Sequence, residues 1–120
     1  MSTVARPTPA QLAGGDGEER AAAYLASKGL VILARNYRAR VGEIDVIAQE
    51  GDVLVFVEVR LRSSGSFGGA LESITPHKQR RIRMAANLYL SKLRRAPRCR
   101  FDVVLIEEGE IRWLRAAFDC

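Results

Sequence analysis

The chain has 120 residues, 48% of them hydrophobic and 28% charged, and this length and composition suit one globular domain with one core. No segment approaches the roughly 20 apolar residues of a membrane-spanning helix, and no charged N-terminal region precedes an apolar run, so we expect a cytoplasmic protein without a signal peptide. The formal net charge of +5 at pH 7 favours an anionic partner, although such an excess also occurs in proteins that bind nothing acidic.

In the first half of the chain, proline and small polar residues predict a disordered tail over residues 1–15, followed by a single domain over 16–120. Helix-forming residues fill 18–28, where Asp16 is a candidate N-cap and Gly29 a candidate stop. Apolar runs bounded by turn residues then predict three strands, at 30–37, 43–49 and 53–61.

The second half of the chain predicts a loop, a helix and a second hairpin. Residues 62–73 are rich in Ser and Gly without a periodic pattern, which is typical of a mobile loop. Thr75 and Pro76 have the order of an N-cap and a first helical residue. The helix that follows has this predicted buried stripe: Ile82, Ala85, Ala86, Tyr89, Leu90 and Leu93. Strands at 101–107 and 110–114 complete an α/β fold, in which a mixed sheet of about five strands has a helix on each face.

Two carboxylates are expected to face each other across the first hairpin. If Gly51 and Asp52 form a two-residue type II′ turn, Asp45 lies opposite Glu58. Directly opposed side chains have Cβ atoms about 4.5–5.5 Å apart, and two carboxylates there repel each other unless a cation or a shared proton lies between them. Mg²⁺ is commonly held by one or two carboxylates and water, so the pair is a candidate metal site. One hairpin face is expected to be wholly apolar: Ile44, Val46, Ala48, Val53, Val55, Val57 and Val59.

The alternative is a salt-bridged sheet end, at which Arg60 and Arg62 neutralise the two acids. A shift of one residue in the strand register would also remove the pairing. Glu18 favours the metal site, because it shares a helical stripe with Ala21 and Leu25 that should face the sheet. Taken alone, Glu18 is better explained as a first-turn acid that the helix dipole stabilises.

Between Ser73 and Phe101 the sequence has nine basic residues and no acid: Lys78, Arg80, Arg81, Arg83, Lys92, Arg94, Arg95, Arg98 and Arg100. Solvated helix faces usually mix the two signs, so a basic surface beside an acidic pair suits a phosphate backbone. Lys78 and Gln79 precede Ile82 by about one helical turn and are expected to lean toward the sheet near the acidic pair. Nucleic-acid contacts are predicted for these residues: Lys78, Gln79, Arg80, Arg81 and Arg83.

Other kinds of site are excluded or weakly supported. His77 is the only histidine, which excludes a multi-histidine metal site, and Cys99 and Cys120 lack metal-ligand spacing. We expect the cysteines to be reduced thiols. The sequence has no Gly-rich phosphate loop ending in Lys-Ser/Thr and no nucleophile elbow. Trp113 lies in an alternating strand and is expected to belong to the core.

Together, these residues resemble a PD-(D/E)XK nuclease core, in which Glu18 matches the helix acid, Asp45 the Asp, and residues 58–60 the acid-x-basic tripeptide. Five segments resemble the YraN-type family of uncharacterised bacterial proteins over about residues 17–107: GEERAAAYL, GEIDVIAQ, LVFVEVRLRSS, FGGALESITPHKQRRI and RFDVVLIE. The resemblance implies a restriction-endonuclease-like fold and a relation to Holliday junction resolvases. By analogy with those dimeric enzymes, it also suggests a homodimer.

The resemblance implies metal-assisted hydrolysis of phosphodiester bonds in DNA, with branched or damaged DNA as a candidate substrate. Asp45 and Glu58 would bind Mg²⁺ or Mn²⁺, and Glu18 would assist directly or through water. Arg60 departs from the nuclease pattern, because it replaces a Lys and a guanidinium cannot act as a base. Arg60 can still stabilise charge on the phosphate, and Lys78 could supply the missing amine from the second helix.

Two other functions stay open at this point. Arg60 supports a nucleic-acid-binding module of nuclease ancestry with little or no catalysis. The remaining alternative is a protein-interaction domain, in which the basic helix meets an acidic partner. The sequence does not distinguish DNA from RNA, and it does not define the structure of the substrate.

Overall fold

A computed structural model describes residues 9–62, 74–107 and 109–119 of the chain. Residues 1–8 of the predicted tail and 63–73 of the predicted loop lie outside this range. The described elements follow in this order: α1 (Pro9–Ser27), β1 (Val31–Ala39), β2 (Gly42–Glu50), β3 (Val53–Arg62), α2 (Pro76–Ser91), β4 (Arg98–Glu107) and β5 (Glu110–Phe118). Among the described residues, no helix is both long and apolar enough to cross a membrane.

The strands form one mixed sheet in the order β1-β2-β3-β4-β5. β3 and β4 are parallel, and the other neighbouring strands are antiparallel. A parallel pair needs a crossover connection, and α2 provides it. The hydrophobic core has two main layers, one between the sheet and α1 and the other between the sheet and α2. This confirms the predicted α/β fold, with the arrangement of a restriction-endonuclease-like core.

The first helix begins earlier than the sequence predicts. It starts at Pro9, so Asp16 lies inside the helix, and the prediction that Asp16 caps it is wrong. Gly17 lowers the local helix propensity, but a Cβ at this position would lie 2.9 Å from Leu61 side-chain carbons. The glycine therefore allows α1 to approach β3 closely.

The second helix begins where the sequence predicts it. Thr75 is the N-cap, and its hydroxyl accepts a hydrogen bond from the Lys78 N–H at 3.2 Å. The predicted stripe is buried at Ile82, Ala85 and Ala86 and half-buried at Tyr89 and Leu90. Leu93 is exposed, so its assignment to this stripe is wrong. The helix ends at Ser91, and its periodicity does not extend to Leu93.

The second strand changes face at Asp45. Ile44 packs with Phe56 on the α2 side, whereas Val46 packs on the α1 side, although residues two apart in a regular strand share a face. On β1, Asn36 lies between the partners of Val46 and Ile44 and has a positive φ of 56°, which is uncommon outside glycine. The prediction that Ile44 belongs to the apolar face of Val46 is therefore wrong, because the strands are irregular at this point.

Candidate active site

The β2–β3 hairpin has the predicted register. Its ladder runs from Glu50 opposite Val53 to Val46 opposite Val57, so Asp45 and Glu58 are the next residues along the two strands. Gly51, in the connecting turn, has a φ of 61°, the sign that the first turn position of a type II′ hairpin requires. The local turn thus brings the two acids to the same level of the sheet, as predicted.

Asp45 is held in place by the backbone of β3. Its Oδ2 accepts a hydrogen bond from the Val59 N–H at 2.8 Å. The Asp45 carboxylate therefore accepts a hydrogen bond that a backbone carbonyl of β2 would accept in a regular ladder. This contact lies just beyond the last regular pair, Val46 and Val57. This contact orients the Asp45 carboxylate at the end of the hairpin.

The Glu58 carboxyl interacts directly with that of Asp45. Burial raises the pKa of Glu58 to about 8, and the charge of Asp45 and a hydrogen bond to it act in the same direction, while Arg60 acts against them. The Glu58 side chain is only 15% exposed. At neutral pH the pair therefore shares a proton, which is one of the two ways in which a fold tolerates opposed carboxylates.

A third carboxyl reaches the same place from α1. Burial raises the pKa of Glu18 to about 6, and Asp45 contributes through its charge and a hydrogen bond, whereas Arg35 lowers it. Ala21 and Leu25 of the same helical stripe are fully buried, which confirms that this stripe faces the sheet. Because β2 changes face at Asp45, this residue can meet one acid from α1 and another from β3. We call Glu18, Asp45 and Glu58 the acidic corner.

Arg60 lies beside the acidic corner on β3. Its Nη2 is 3.0 Å from Glu58 Oε2, so the ion pair of the salt-bridged alternative is present. Its Nε is buried and has no hydrogen-bond partner among the described residues. A buried donor left unpaired costs about 1–3 kcal/mol.

The carboxylates have the chemistry of a small hard-cation site. Within the described ranges, no group of three or more His, Cys, Asp and Glu side chains is arranged to hold a metal ion. Mg²⁺, however, commonly takes only one or two carboxylates and completes its shell with water. Asp45 and Glu58 fit that donor set, because a divalent cation could replace the proton that they share. Glu18 lies near enough to Asp45 to act through a bound water.

The N-terminal half of α2 lies at the same end of β2 as the acidic corner. A Cβ on Gly42 would overlap the Arg81 carbonyl oxygen, which shows how closely the helix crosses the strand. Gln79 donates a hydrogen bond to the Ile74 carbonyl at 3.1 Å, and Lys78 is exposed. Among the described contacts, neither residue reaches Asp45 or Glu58. The role of Lys78 as a supplier of an amine stays a prediction.

Sequence reasoning missed a second charged cluster, which lies toward the β2–β3 turn on the α1 side of the sheet. We call it the Asp102 cluster: Glu50, Arg100, Asp102, Trp113 and Arg115. Asp102 is fully buried and accepts hydrogen bonds from Arg100 Nε at 2.8 Å and from Trp113 Nε1 at 2.9 Å. Arg100 and Arg115 also pair with Glu50, at 2.9 and 2.8 Å. The sequence signal for this cluster was Asp102 itself, an acid within the apolar run FDVVLIE.

The Asp102 cluster changes the interpretation of the basic segment. Arg100 is bound to Asp102 and Glu50, so it does not belong to a basic surface that is open to an external anion. Arg80 and Arg81 are exposed, and Arg83 is half-buried. Trp113 packs edge-on against Tyr24 of α1 and borders the core, as predicted.

A model of the uncharacterised protein family UPF0102 matches residues 17–106, a range that contains the whole acidic corner and Arg60. The chain belongs to the UPF0102 family. It is 46% identical over 112 residues to a UPF0102 protein of Herminiimonas arsenicoxydans, with 93% of this chain and 90% of the relative covered. A UPF0102 protein of Cupriavidus necator is 53% identical over 110 residues, with coverages of 91% and 84%. Membership confirms the resemblance to YraN-type proteins.

Proposed function

We propose that this protein is a metal-dependent nuclease that hydrolyses phosphodiester bonds in DNA at the acidic corner. The observation that carries the proposal is the convergence of Asp45 and Glu58 at the end of the β2–β3 ladder, where they share a hydrogen bond. Perturbed carboxyl groups of this kind, which come together from separate elements, are typical of functional sites.

Asp45 and Glu58 would hold Mg²⁺ or Mn²⁺, and Glu18 would bind a water of its shell. When bound, the cation supplies Lewis-acid polarisation of the phosphate and lowers the pKa of a bound water. The Val59 N–H donates a hydrogen bond to Asp45 Oδ2 at 2.8 Å, which would keep this carboxylate oriented while it holds the cation. Glu18, with a pKa raised to about 6 chiefly by burial, can accept a proton near neutral pH.

Arg60 would bind the phosphate. The Arg60 side chain is 23% exposed, and a guanidinium keeps its charge at any physiological pH. Two donors on one planar group match phosphate oxygens. Arg60 therefore stabilises charge and cannot take the proton of the attacking water, which leaves Glu18 or Lys78 for that role.

The basic residues at the start of α2 support a nucleic-acid substrate. Lys78, Arg80 and Arg81 are exposed, and Arg81 belongs to the helical turn that crosses β2 at Gly42. Cations beside the acidic corner would hold the phosphates next to the scissile one. Branched or damaged DNA is the substrate class that we propose to test first.

The test is cleavage of plasmid and four-way-junction DNA by purified protein with Mn²⁺ or Mg²⁺ and, in parallel, with EDTA. We expect Asp45→Asn and Glu58→Gln to lower the rate by on the order of 100-fold or more, because each removes a carboxyl group that would hold the cation at the reacting centre. Asp52→Asn, an exposed acid of the hairpin turn, is the matched control and should retain the full rate. Equal rates for all four proteins would refute the enzyme.

A second candidate function is a nucleic-acid-binding module without catalysis. The 3.0 Å ion pair between Arg60 and Glu58 favours it, because a metal ion must compete with a permanent cation for this carboxylate. This alternative predicts binding that weakens steeply with salt and no cleavage with either metal ion. A protein-interaction domain would show no nucleic-acid affinity even at low salt.

A further inference from the structure

A cleft of about 280 Å³ lies on the side of α2 that faces β4, away from the contact with Gly42. Its apolar part includes Met84 and Leu90 of α2 and Phe101 of β4. Its polar part includes three side chains of α2: Arg80, Arg83 and Asn87. None of these residues belongs to the acidic corner.

The cleft has a rigid floor and a helical wall. The Phe101 ring is buried and stacks between Phe56, at a centroid distance of 5.4 Å, and Phe118, at 5.0 Å. Residues 80, 83, 84, 87 and 90 recur at the spacing of one helical face, so their side chains form a continuous wall beside this floor. The polar groups are therefore presented on a fixed frame.

The charge of the cleft is positive. The segment 74–101 contains no acidic residue, and the cleft has two guanidinium groups one helical turn apart, on Arg80 and Arg83. Arg83 Nη1 lies 3.4 Å from the Asp119 backbone carbonyl, which positions this side chain at the end of β5. An anion is the ligand that such a cleft attracts.

Apolar surface, two guanidinium groups and one amide together match the parts of a nucleotide. Arg binds phosphate through paired donors, the faces of a base pack on apolar or aromatic side chains, and an Asn amide can bond the edge of a base. The cleft volume lies just below the roughly 300 Å³ at which small-molecule sites begin, so the cleft can enclose no more than about one nucleotide.

We propose that this cleft binds one unpaired nucleotide of a single-stranded segment of nucleic acid. The phosphate lies at Arg80 and Arg83, the base packs on Met84 and Leu90, and Asn87 bonds its edge. The inference rests on the proposed function for the nature of the polymer, and it adds that the substrate carries unpaired bases. Flaps and single-stranded ends are such substrates, and an intact duplex is not.

The helix connects the cleft to the acidic corner. Arg80 lines the cleft, and the next residue, Arg81, touches Gly42, which is in the same strand as Asp45. A strand with its unpaired base in the cleft would thus run along a basic helical turn toward the start of β2, the strand that carries Asp45. Continuity of positive charge along this path favours a polymer over a small free anion.

Cys99 provides a local reporter, because its half-buried side chain lines the cleft. In a Cys120→Ser background, the rate at which N-ethylmaleimide alkylates Cys99 would be measured in the presence of one of four probes. These are an oligothymidylate, a duplex of equal length, thymidine monophosphate and inorganic phosphate. We expect oligothymidylate to slow alkylation by on the order of tenfold, and the duplex and inorganic phosphate to leave it unchanged.

Variants assign this protection to the cleft. Arg80→Ala and Asn87→Ala alter exposed helix positions, and we expect each to weaken oligothymidylate binding by on the order of tenfold. Arg94→Ala, which is exposed and outside the cleft, is the control of equal charge change and should retain protection. Equal protection in Arg80→Ala, Asn87→Ala and the parent would overturn the proposal.

The outcomes separate this inference from the nuclease. If oligothymidylate protects Cys99 but no metal-dependent cleavage occurs, the nucleotide-binding cleft is supported and the nuclease proposal is refuted. If Arg80→Ala and Asn87→Ala cleave DNA at the rate of the parent, and Cys99 is not protected in the parent, the nucleotide-binding cleft is refuted and the nuclease proposal stands. Protection by thymidine monophosphate and not by oligothymidylate would overturn the assignment to a strand, and so would equal protection by the duplex.

Discussion

Two carboxyl groups in adjacent strands, Glu58 of β3 and Asp102 of β4, have opposite surroundings. Asp102 is fully buried, yet it accepts hydrogen bonds from Arg100, Trp113 and the Ala116 N–H. Glu58 faces another carboxylate, and its pKa is raised to about 8 by burial and by that neighbour. A buried charge is stable when donors saturate it and unstable when it meets a like charge. The Asp102 cluster therefore supports the fold, whereas the two opposed carboxyl groups of Asp45 and Glu58 destabilise each other, which suits the cation site that we propose.

The largest expected effect is on the Asp102 cluster. We expect Asp102→Asn to lower the free energy of unfolding by about 3–5 kcal/mol, because it leaves the Arg100 charge without its principal buried partner. Urea denaturation followed by circular dichroism measures this difference. Asp52→Asn, at the exposed hairpin turn, should change the free energy by no more than about 0.5 kcal/mol. A loss below 1 kcal/mol for Asp102→Asn would remove the contrast between the two clusters.

The next effect concerns the pH dependence of stability. The pKa of Glu58 is about 8 in the folded protein and 4.5 as its ordinary value, so the folded state binds the extra proton between these limits. The free energy of unfolding should therefore fall as the pH rises through this window. Without divalent ions, we expect a loss of more than about 1.4 kcal/mol, the equivalent of one pKa unit, between about pH 5 and pH 8.

Glu58→Gln should flatten that pH profile above about pH 6, because it keeps a hydrogen-bond donor toward Asp45 and removes the titration of Glu58. Glu18, with a pKa raised to about 6, should keep a loss of the same sign below that pH in both proteins. The pKa of Glu50 is lowered chiefly by its hydrogen bond to Arg115, so its contribution to the free energy of unfolding is lost as the pH falls below the ordinary value of 4.5. That loss has the opposite sign and lies outside the window. Urea denaturation of both proteins in EDTA at several pH values provides the comparison. Parallel profiles for the parent and Glu58→Gln would show that the acidic corner is not strained.

A divalent ion should reverse the loss at the high end of the window. Near pH 8, Mn²⁺ at ten times its dissociation constant should stabilise the fold by about 1.4 kcal/mol, since only the folded state presents the pair. Asp45→Asn should abolish this stabilisation, while Asp102→Asn should keep it if the variant is folded at the assay temperature. Thermal denaturation with and without Mn²⁺ measures it without reference to catalysis. Equal stabilisation of the parent and Asp45→Asn would place the ion elsewhere.

Arg60→Lys should change the free energy of unfolding by no more than about 1 kcal/mol, because an ammonium can keep the ion pair with Glu58. The variant is informative about activity, since a Lys can lose its proton and a guanidinium cannot. We expect the variant to cleave DNA at least as fast as the parent, with a rate that rises toward alkaline pH. A cleaving Arg60→Lys variant beside an inactive parent would identify the parent as the binding module.

The site and the fold were predictable from sequence to different degrees. The pairing of Asp45 with Glu58 depends on a two-residue turn, so a local feature determined it correctly. The change of face at Ile44 depends on the backbone of β1 and β2 together and left no periodic signal. Glu18 was predictable as a residue of the stripe facing the sheet, but its hydrogen bond to Asp45 was visible only in the folded protein.

By itself, the sequence determined the element order, the hairpin register and the start of α2, because turn chemistry, capping and periodicity act over a few residues. Only the tertiary structure decided which charges are saturated. Glu50 and Arg115 are 65 positions apart, and no local pattern pairs them. The same long-range packing saturates Asp102 and leaves Glu58 facing Asp45, because burial and neighbouring charge are properties of the assembled core.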